Sequence, residues 1–475
     1  MTLQNHAKKY ALLYSVLLIA ALARLLYAFD AHELWWDSGV YVGMAKYLWS
    51  GGTAGLWEHI RPVLWPAVLG IAWWLKLNIV LFARILSFAL SLASIALVYQ
   101  LGRQWFSERA GIIASILWGF SSIVFYLGFH EYTELPAVTL ALAALLAFTR
   151  QHVFFAGILA SAAFLFKFPA GIFIVVLGLC LLARKQWKQL IPLGIGFALP
   201  TAAYLTFNAL TSGSALGPLI AARESILSVL GCNVLRYKPW YQYLGWIAFD
   251  NVLNVLALAG VGIAAARRDK RFLLPALALL IPAAYLLQMH CRDYRYLTLF
   301  LPFVVLFAGH GIERIVLLVE SKKRRAWAYP AALILILAVS LTHALLFFHA
   351  NEPRVLDLNA ERYYRWLADN PLDGEIWSAN PAVSAYTDAP VRKIYYPLYE
   401  QGQATDFNTY LFANPDRIGA VLLDNCGGGI ICPPEDTGCA QQLDATRAFL
   451  NEHYKQVFFA QTGNCWYSIY TRRTE

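Results

Sequence analysis

Long apolar runs separated by short polar loops set the pattern of this chain from its start to about residue 348; beyond that, apolar and polar positions alternate at the shorter spacings of a soluble fold. A helix that crosses a hydrocarbon core needs about 20 apolar residues. Runs of that kind occupy Tyr10 to Phe29, Leu77 to Leu101, Ala110 to Leu127, Leu190 to Phe207, Tyr243 to Ala266, Phe272 to Met289, Tyr296 to Val319 and Ala326 to Phe348, with a shorter one at Leu135 to Phe148. Val153 to Leu182 is long enough for two short spans broken at Lys167-Phe168-Pro169, because a cation and a proline together favour a turn at the membrane interface. The pattern predicts a polytopic α-helical protein of about eleven spans. No small-residue cleavage site follows the first run, which reads as a retained span.

The tail changes period. Glu361 to Asp369 and Gln441 to Tyr454 have helical spacing, and Glu375 to Ser378, Arg392 to Tyr396, Ala420 to Leu423 and Cys465 to Tyr470 read as strands. The expected division is a transmembrane domain over residues 1–350 and a small α/β domain over 351–475.

Composition agrees with the periodicity: 59% of residues are hydrophobic, 14% are charged and the mean hydropathy is +0.51. The net charge of +9 does not indicate a nucleic-acid partner, because the cations form short clusters between apolar runs. With the N-terminus in the cytoplasm, Arg103 and Arg109, Arg150, Arg184-Lys185 with Lys188, Arg267-Arg268 with Lys270-Arg271, and Lys322 to Arg325 all fall on the cytoplasmic side. The same assignment sends Asp37, Glu58, His130, Glu131, Glu134, Lys167, Arg292, Asp293, Arg295 and the C-terminal domain to the outer face of a cell membrane. Cys426, Cys432, Cys439 and Cys465 in the tail, with Cys232 and Cys291 in outer loops, then lie in an oxidising compartment, where disulfides are favoured over zinc. Arg24 and Arg84 fall within or near apolar runs, and each is expected to meet an acid or a cavity.

Candidate chemistry begins at Trp35-Trp36-Asp37-Ser38-Gly39-Val40-Tyr41, an acid near the outer end of the first span, followed by Arg61-Pro62-Val63-Leu64-Trp65-Pro66. Val40, Tyr41, Met44, Tyr47 and Leu48 share one helical face, which suits a short helix lying in the membrane interface with Trp35, Trp36, Trp49 and Trp57 at headgroup level. Asp37 or Ser38 would cap it, or Asp37 would act on a lipid-borne substrate. An ammonium at Lys167 would meet a lipid phosphate or extend to the headgroups.

Asp37 with Tyr41, then Ala45, Gly51-Gly52 and the Arg61 to Pro66 motif, resembles the first outer loop of the GT-C superfamily of membrane glycosyltransferases, which includes protein O-mannosyltransferases and aminoarabinose transferases. Ala83 to Ser87, Tyr132 to Pro136, and Arg292 to Leu297 before Leu301-Pro302 follow in the order of that family. The resemblance implies a helical bundle with an outward cavity that takes a polyprenyl-phosphate-linked sugar and passes the sugar, with inversion, to a protein, lipid or glycan acceptor. It implies that Asp37 is the base, that Tyr41 lines the substrate, and that Arg61, Lys167, Arg292 and Arg295 contact the donor phosphate. Arg292 and Arg295 would otherwise form a paired turn with Asp293. His130, Glu131 and Glu134 all qualify as the second acidic loop on the acceptor side, and Glu134 alternatively caps its span. No metal or other cofactor is expected, although Asp37 with Glu131 or Glu134 and His130 has the donor types for a divalent cation. Two rival classes remain: a transporter or flippase of a lipid-linked sugar, and a non-catalytic glycan-binding membrane subunit.

Overall fold

The computed structural model describes residues 3–28, 34–227, 238–267, 270–289, 292–323, 327–351, 358–394, 403–426, 432 and 437–473. The chain forms two compact units. One is drawn from Met1–Asp30, Arg84–Leu227 and Tyr237–Glu352; the other is drawn from Ala31–Ala83 and Pro353–Glu475. The division differs from a single cut near residue 350, because the first outer loop groups with the C-terminal domain.

Helices run in the order α1 Leu3–Tyr27, α2 Trp36–Ser50, α3 Leu64–Trp74, α4 Ile79–Trp105, α5 Glu108–Gly119, α6 Ser122–Leu127, α7 Glu134–Thr149, α8 Val153–Phe166, α9 Ile172–Ala183, α10 Leu190–Ser212 and α11 Gly217–Leu227. They continue as α12 Gln242–Asp250, α13 Ala257–Arg267, α14 Leu273–Leu287, α15 Leu301–Lys323 and α16 Ala328–Asn351. Among the described residues, five helices are long and apolar enough to cross a membrane, and a sixth candidate is the pair Gln242–Asp250 and Val252–Arg267, which is bent by 115° at its break. Five shorter apolar helices accompany them. The expected break after α8 is present: Lys167 is extended (φ −154°, ψ 112°) and Phe168–Gly171 makes a 3-10 turn before α9. The run Ala110 to Leu127 instead divides at Phe120-Ser121, where the Ser121 hydroxyl caps α6.

Small residues let helices of the first unit approach closely, as in membrane bundles where packing replaces the hydrophobic drive. A Cβ on Gly157 of α8 would stand 2.3 Å from the Leu193 carbonyl oxygen of α10, and one on Gly260 of α13 would stand 1.9 Å from that of Phe307 on α15. Arg24 is fully buried; it donates to the Ala20 and Gly119 carbonyls at 3.2 and 2.8 Å and lies 5.0 Å from the Phe125 ring centroid. Backbone acceptors and a ring face therefore meet this charge, where an acid or a cavity was expected.

The second unit is built on a five-stranded sheet: β1 Glu375–Ser378, β2 Val391–Ile394, β3 Ile418–Asp424, β4 Tyr454–Thr462 and β5 Cys465–Arg472, in the order β2-β1-β3-β5-β4. β1 is parallel to β2 and β3, and β5 is antiparallel to β3 and β4. Its helices are α17 Leu358–Asp369, α18 Gln403–Ala413 and α19 Thr437–His453. Alternate strand residues point to opposite faces. Trp377, Val421 and Leu423 meet Phe407 and Leu411 of α18 and Leu450 of α19, while Ile376, Ala420, Leu422 and Ile469 meet Tyr363 and Leu367 of α17. Disulfides join Cys426 to Cys465 and Cys432 to Cys439; Cys180 is a buried free thiol in α9. Cys232 and Cys291 lie outside the described residues.

The second sheet face is completed by α2. Val40 and Met44 join its core, with Leu56 from the following loop, so this part of the apolar stripe meets a protein sheet. Gly39 and Gly43 permit the approach: a Cβ on Gly39 would lie 2.5 Å from Ala382 N, and one on Gly43 would lie 2.9 Å from Ser384 Oγ. Lys46 bridges to Asp388 Oδ1 and donates to the Thr387 carbonyl, both at 2.9 Å. Gly51 ends α2 at φ 66°, a left-handed conformation that glycine adopts without steric cost. The loop then reaches β2, where Val391 N donates to the Gly55 carbonyl at 2.7 Å.

Candidate active site

Asp37 stands in the first turn of α2 and does not cap it; the N-cap position is Trp35, without a side-chain cap bond. Its Oδ1 meets Arg61 Nη2 at 2.9 Å, and Arg61 Nε donates to Glu58 Oε2 at 2.8 Å. The guanidinium also lies 5.7 Å from the ring centroid of Tyr41, which is buried. Burial opposes the charge on Arg61, but Asp37, Glu58 and Tyr41 outweigh it and hold the guanidinium well above its usual pKa. Arg61 thus enters the structure as the partner of two carboxylates. Its fork fixes the direction of Asp37, and both acids keep part of their side chains accessible, at 18% for Asp37 and 32% for Glu58.

A second cluster lies in the first unit. Glu134 opens α7 after Thr133, and its Oε1 accepts from Lys167 Nζ at 2.7 Å, with Arg295 Nη1 at 3.9 Å. The break between α8 and α9 delivers Lys167. Arg295 belongs to a 3-10 turn, Tyr294–Leu299, capped by Asp293, whose Oδ1 accepts from Arg295 N at 3.0 Å and whose Oδ2 meets Nη2 at 3.2 Å. Tyr296 lies beneath Lys167 at 5.2 Å, and Tyr132 beneath Arg295 at 4.8 Å. Two cations and two carboxylates are therefore gathered between aromatic faces, and the cations retain 14% and 13% of their side-chain surface.

The neighbouring loop residues extend this cluster. Glu131 is fully buried against Arg84, Oε1 to Nε at 2.6 Å, so Arg84 meets the acid expected of it. The His130 ring packs 4.4 Å from Tyr126 and 5.9 Å from Tyr132, and its carbonyl accepts from Ser87 Oγ at 2.9 Å. Arg292 takes a different course: it is buried and donates to the backbone carbonyls of Lys238 and, at 3.0 Å, Leu287. Of the four residues expected at a phosphate, Lys167 and Arg295 come together, Arg61 orients an acid and Arg292 braces a loop.

Tyr132 and Tyr296 were read as members of the motifs Tyr132 to Pro136 and Arg292 to Leu297, with no part in the site assigned to either. Asp250 was missed, despite being an acid inside an apolar run. It is buried at the bend between α12 and α13, where Oδ1 accepts from Ser121 Oγ at 2.9 Å, Ile123 N at 3.1 Å and Tyr294 Oη at 2.9 Å, and Oδ2 accepts from Asn254 at 3.3 Å. The bond to Tyr294 anchors the turn that carries Arg295. Among the described residues, no three His, Cys, Asp or Glu side chains gather as a metal would require. Glu131 and Glu134 each face a cation, Arg84 and Lys167 respectively.

A family model described as "Predicted membrane protein (DUF2079)" matches residues 40–364. No curated protein matches the sequence. Among solved structures, ArnT from Cupriavidus metallidurans bound to undecaprenyl phosphate superposes with a TM-score of 0.66 at 13% identity, over 98% of each chain. The oligosaccharyltransferase of Archaeoglobus fulgidus, tethered to an acceptor peptide, gives 0.62 at 14% identity over 97% of this chain and 74% of its own. The arabinofuranosyltransferase AftD from Mycobacteria gives 0.59 at 14% identity over 98% of this chain and 40% of its own.

Proposed function

The chain belongs to the DUF2079 family of predicted membrane proteins and has the fold of GT-C glycosyltransferases, and on that premise we propose that it is an inverting glycosyltransferase. Its donor is a monosaccharide on a polyprenyl phosphate, and its acceptor is a protein, lipid or glycan at the outer face of the membrane. The observation that carries this reading is the Lys167 and Arg295 pair, two partly accessible cations held by Glu134 and Asp293. A cationic pair of this kind suits a phosphate leaving group, and two of the structural neighbours are described with undecaprenyl phosphate or dolichol phosphate.

The chemistry needs one base and one stabiliser of departing charge. An acceptor hydroxyl or amine forms a bond to the anomeric carbon as the bond from that carbon to the phosphate oxygen breaks. Its proton passes to the carboxylate of Asp37, and polyprenyl phosphate leaves toward Lys167 and Arg295. Arg61 and Tyr41 hold the base in place, and Glu131 and Glu134 organise their cations. We read the reaction as independent of metal, and the chain as crossing the membrane about eleven times with its N-terminus in the cytoplasm and its C-terminal domain outside.

The bent pair of α12 and α13 favours one rival, because discontinuous helices build the binding sites of transporters. Both carboxylate oxygens of Asp250 at that bend accept hydrogen bonds within the protein, so the bend reads as structural. Purified protein in lipid, offered a panel of radiolabelled polyprenyl-phosphate monosaccharides with a mixed acceptor extract, is expected to transfer label from one donor class. Translocation of a labelled lipid across vesicles without transfer would replace this reading with the transporter.

A further inference from the structure

A groove of about 1040 Å³ opens in the first unit where the C-terminus of α9, the end of α13 and the start of α14 come together. Arg184, Lys185 and Arg271, with the polar Gln186, line one part of it, and aliphatic and aromatic side chains line the rest. Arg184 and Lys185 follow the C-terminus of α9, where cations complement the helix dipole and need no ligand. Arg271 lies in the 3-10 turn Lys270–Phe272 that leads into α14, near an N-terminal end that disfavours a cation and attracts an anion.

The apolar part of the lining continues along three helices. Val175, Leu179 and Ala183 form one stripe on α9, Leu258, Val261 and Ala265 one on α13, and Leu280, Ala276 and Leu273 one on α14, each at helical spacing and each ending in the groove. Val175, Leu179, Leu258, Val261 and Leu280 are exposed. Three cations at one end and three unburied apolar stripes leading away from it match an amphiphile with an anionic head and hydrocarbon tails. The same basic segments are those the distribution of charge assigns to the cytoplasmic side.

We propose that this groove is a binding site for an anionic glycerophospholipid, with the phosphate among Arg184, Lys185 and Arg271 and the acyl chains along α9, α13 and α14. The site is independent of the glycosyl-transfer reading. It lies at the far end of α9 from the Lys167 turn, and its test does not depend on catalysis. Each basic residue at a lipid surface contributes about 1 kcal/mol, so neutralising all three removes on the order of a hundredfold of the preference for an anionic over a zwitterionic lipid.

Native mass spectrometry of the detergent-purified full chain, delipidated and then offered dioleoyl phosphatidylglycerol or dioleoyl phosphatidylcholine, measures that preference directly. Wild type is expected to retain phosphatidylglycerol strongly over phosphatidylcholine. The variant Arg184→Gln, Lys185→Gln, Arg271→Gln is expected to lose the excess while its phosphatidylcholine adducts stay the same. Ala276→Phe keeps every cation and fills the apolar end, and it is expected to lose phosphatidylglycerol as well, which covers the case in which the triple variant fails to fold. Equal retention of the two lipids by wild type overturns the proposal, as does undiminished phosphatidylglycerol on Ala276→Phe.

Discussion

Arginines that look equivalent in the sequence have different work in the fold. Arg292 and Arg295 sit three positions apart in one motif, yet the first is spent on two backbone carbonyls and the second faces Glu134, Asp293 and the Tyr132 ring. Arg295→Gln is therefore expected to reduce transfer by about 10²-fold or more with little change in thermal stability, as loss of a charge-stabilising donor does. Arg292→Gln is expected to lower the melting temperature instead, because it strips partners from buried carbonyls at a cost of about 1–3 kcal/mol. Parallel kinetic and thermal measurements on the two variants separate these outcomes; the reverse pattern would move the phosphate contact to Arg292. A further residue-level consequence concerns Asp424, fully buried at the end of β3. Burial pushes its carboxyl up to about 7, although it accepts a hydrogen bond from Cys426 N at 3.1 Å. The folded form therefore holds a proton that the unfolded chain has already released, so stability falls as pH rises from about 4 to about 7, by up to roughly 4 kcal/mol. Asp424→Asn is expected to flatten the dependence of melting temperature on pH and to be more stable than wild type at pH 8.

At the scale of elements, periodicity located most of the chain. The break at Lys167-Phe168-Pro169 and strand β1 follow local rules of proline, charge and alternation, which the sequence carries in full. The surroundings of α2 were illegible for a definite reason: Val40 and Met44 have the same spacing whether they meet lipid headgroups or a sheet formed more than 300 residues later. Strand β4 was missed because its first residue, Tyr454, continues the helical spacing of α19, and pairing with β5 determines its state. The contact of α2 with the Pro381–Ala385 turn has a consequence for Asp37. Gly39→Val would force a side chain into backbone already 2.5 Å from its Cβ, at a cost of about 1–3 kcal/mol, and would tilt the turn of α2 that bears Asp37. Reduced thermal stability together with reduced transfer is expected, whereas Gly178→Ala in α9, whose Cβ would meet nothing within 4 Å, should leave both unchanged.

For the whole molecule, the sequence pattern separated membrane helices from an α/β tail but could not reveal that the segment between α1 and α4 joins the tail's core. That association is long-range, and nothing local encodes it. The two clusters of candidate residues accordingly belong to different units: Asp37, Glu58 and Arg61 in one, and Glu134, Lys167 and Arg295 in the other. In the proposed reaction the first removes the acceptor proton and the second stabilises the leaving phosphate. The most direct test compares sugar transfer by wild type and Asp37→Asn, purified in lipid with matched melting temperatures and supplied with the donor that wild type accepts. Loss of the base is predicted to lower transfer by about 10²- to 10⁴-fold while binding of polyprenyl phosphate persists. Equal transfer by the two proteins would contradict the account and leave Asp37 only as the structural partner of Arg61.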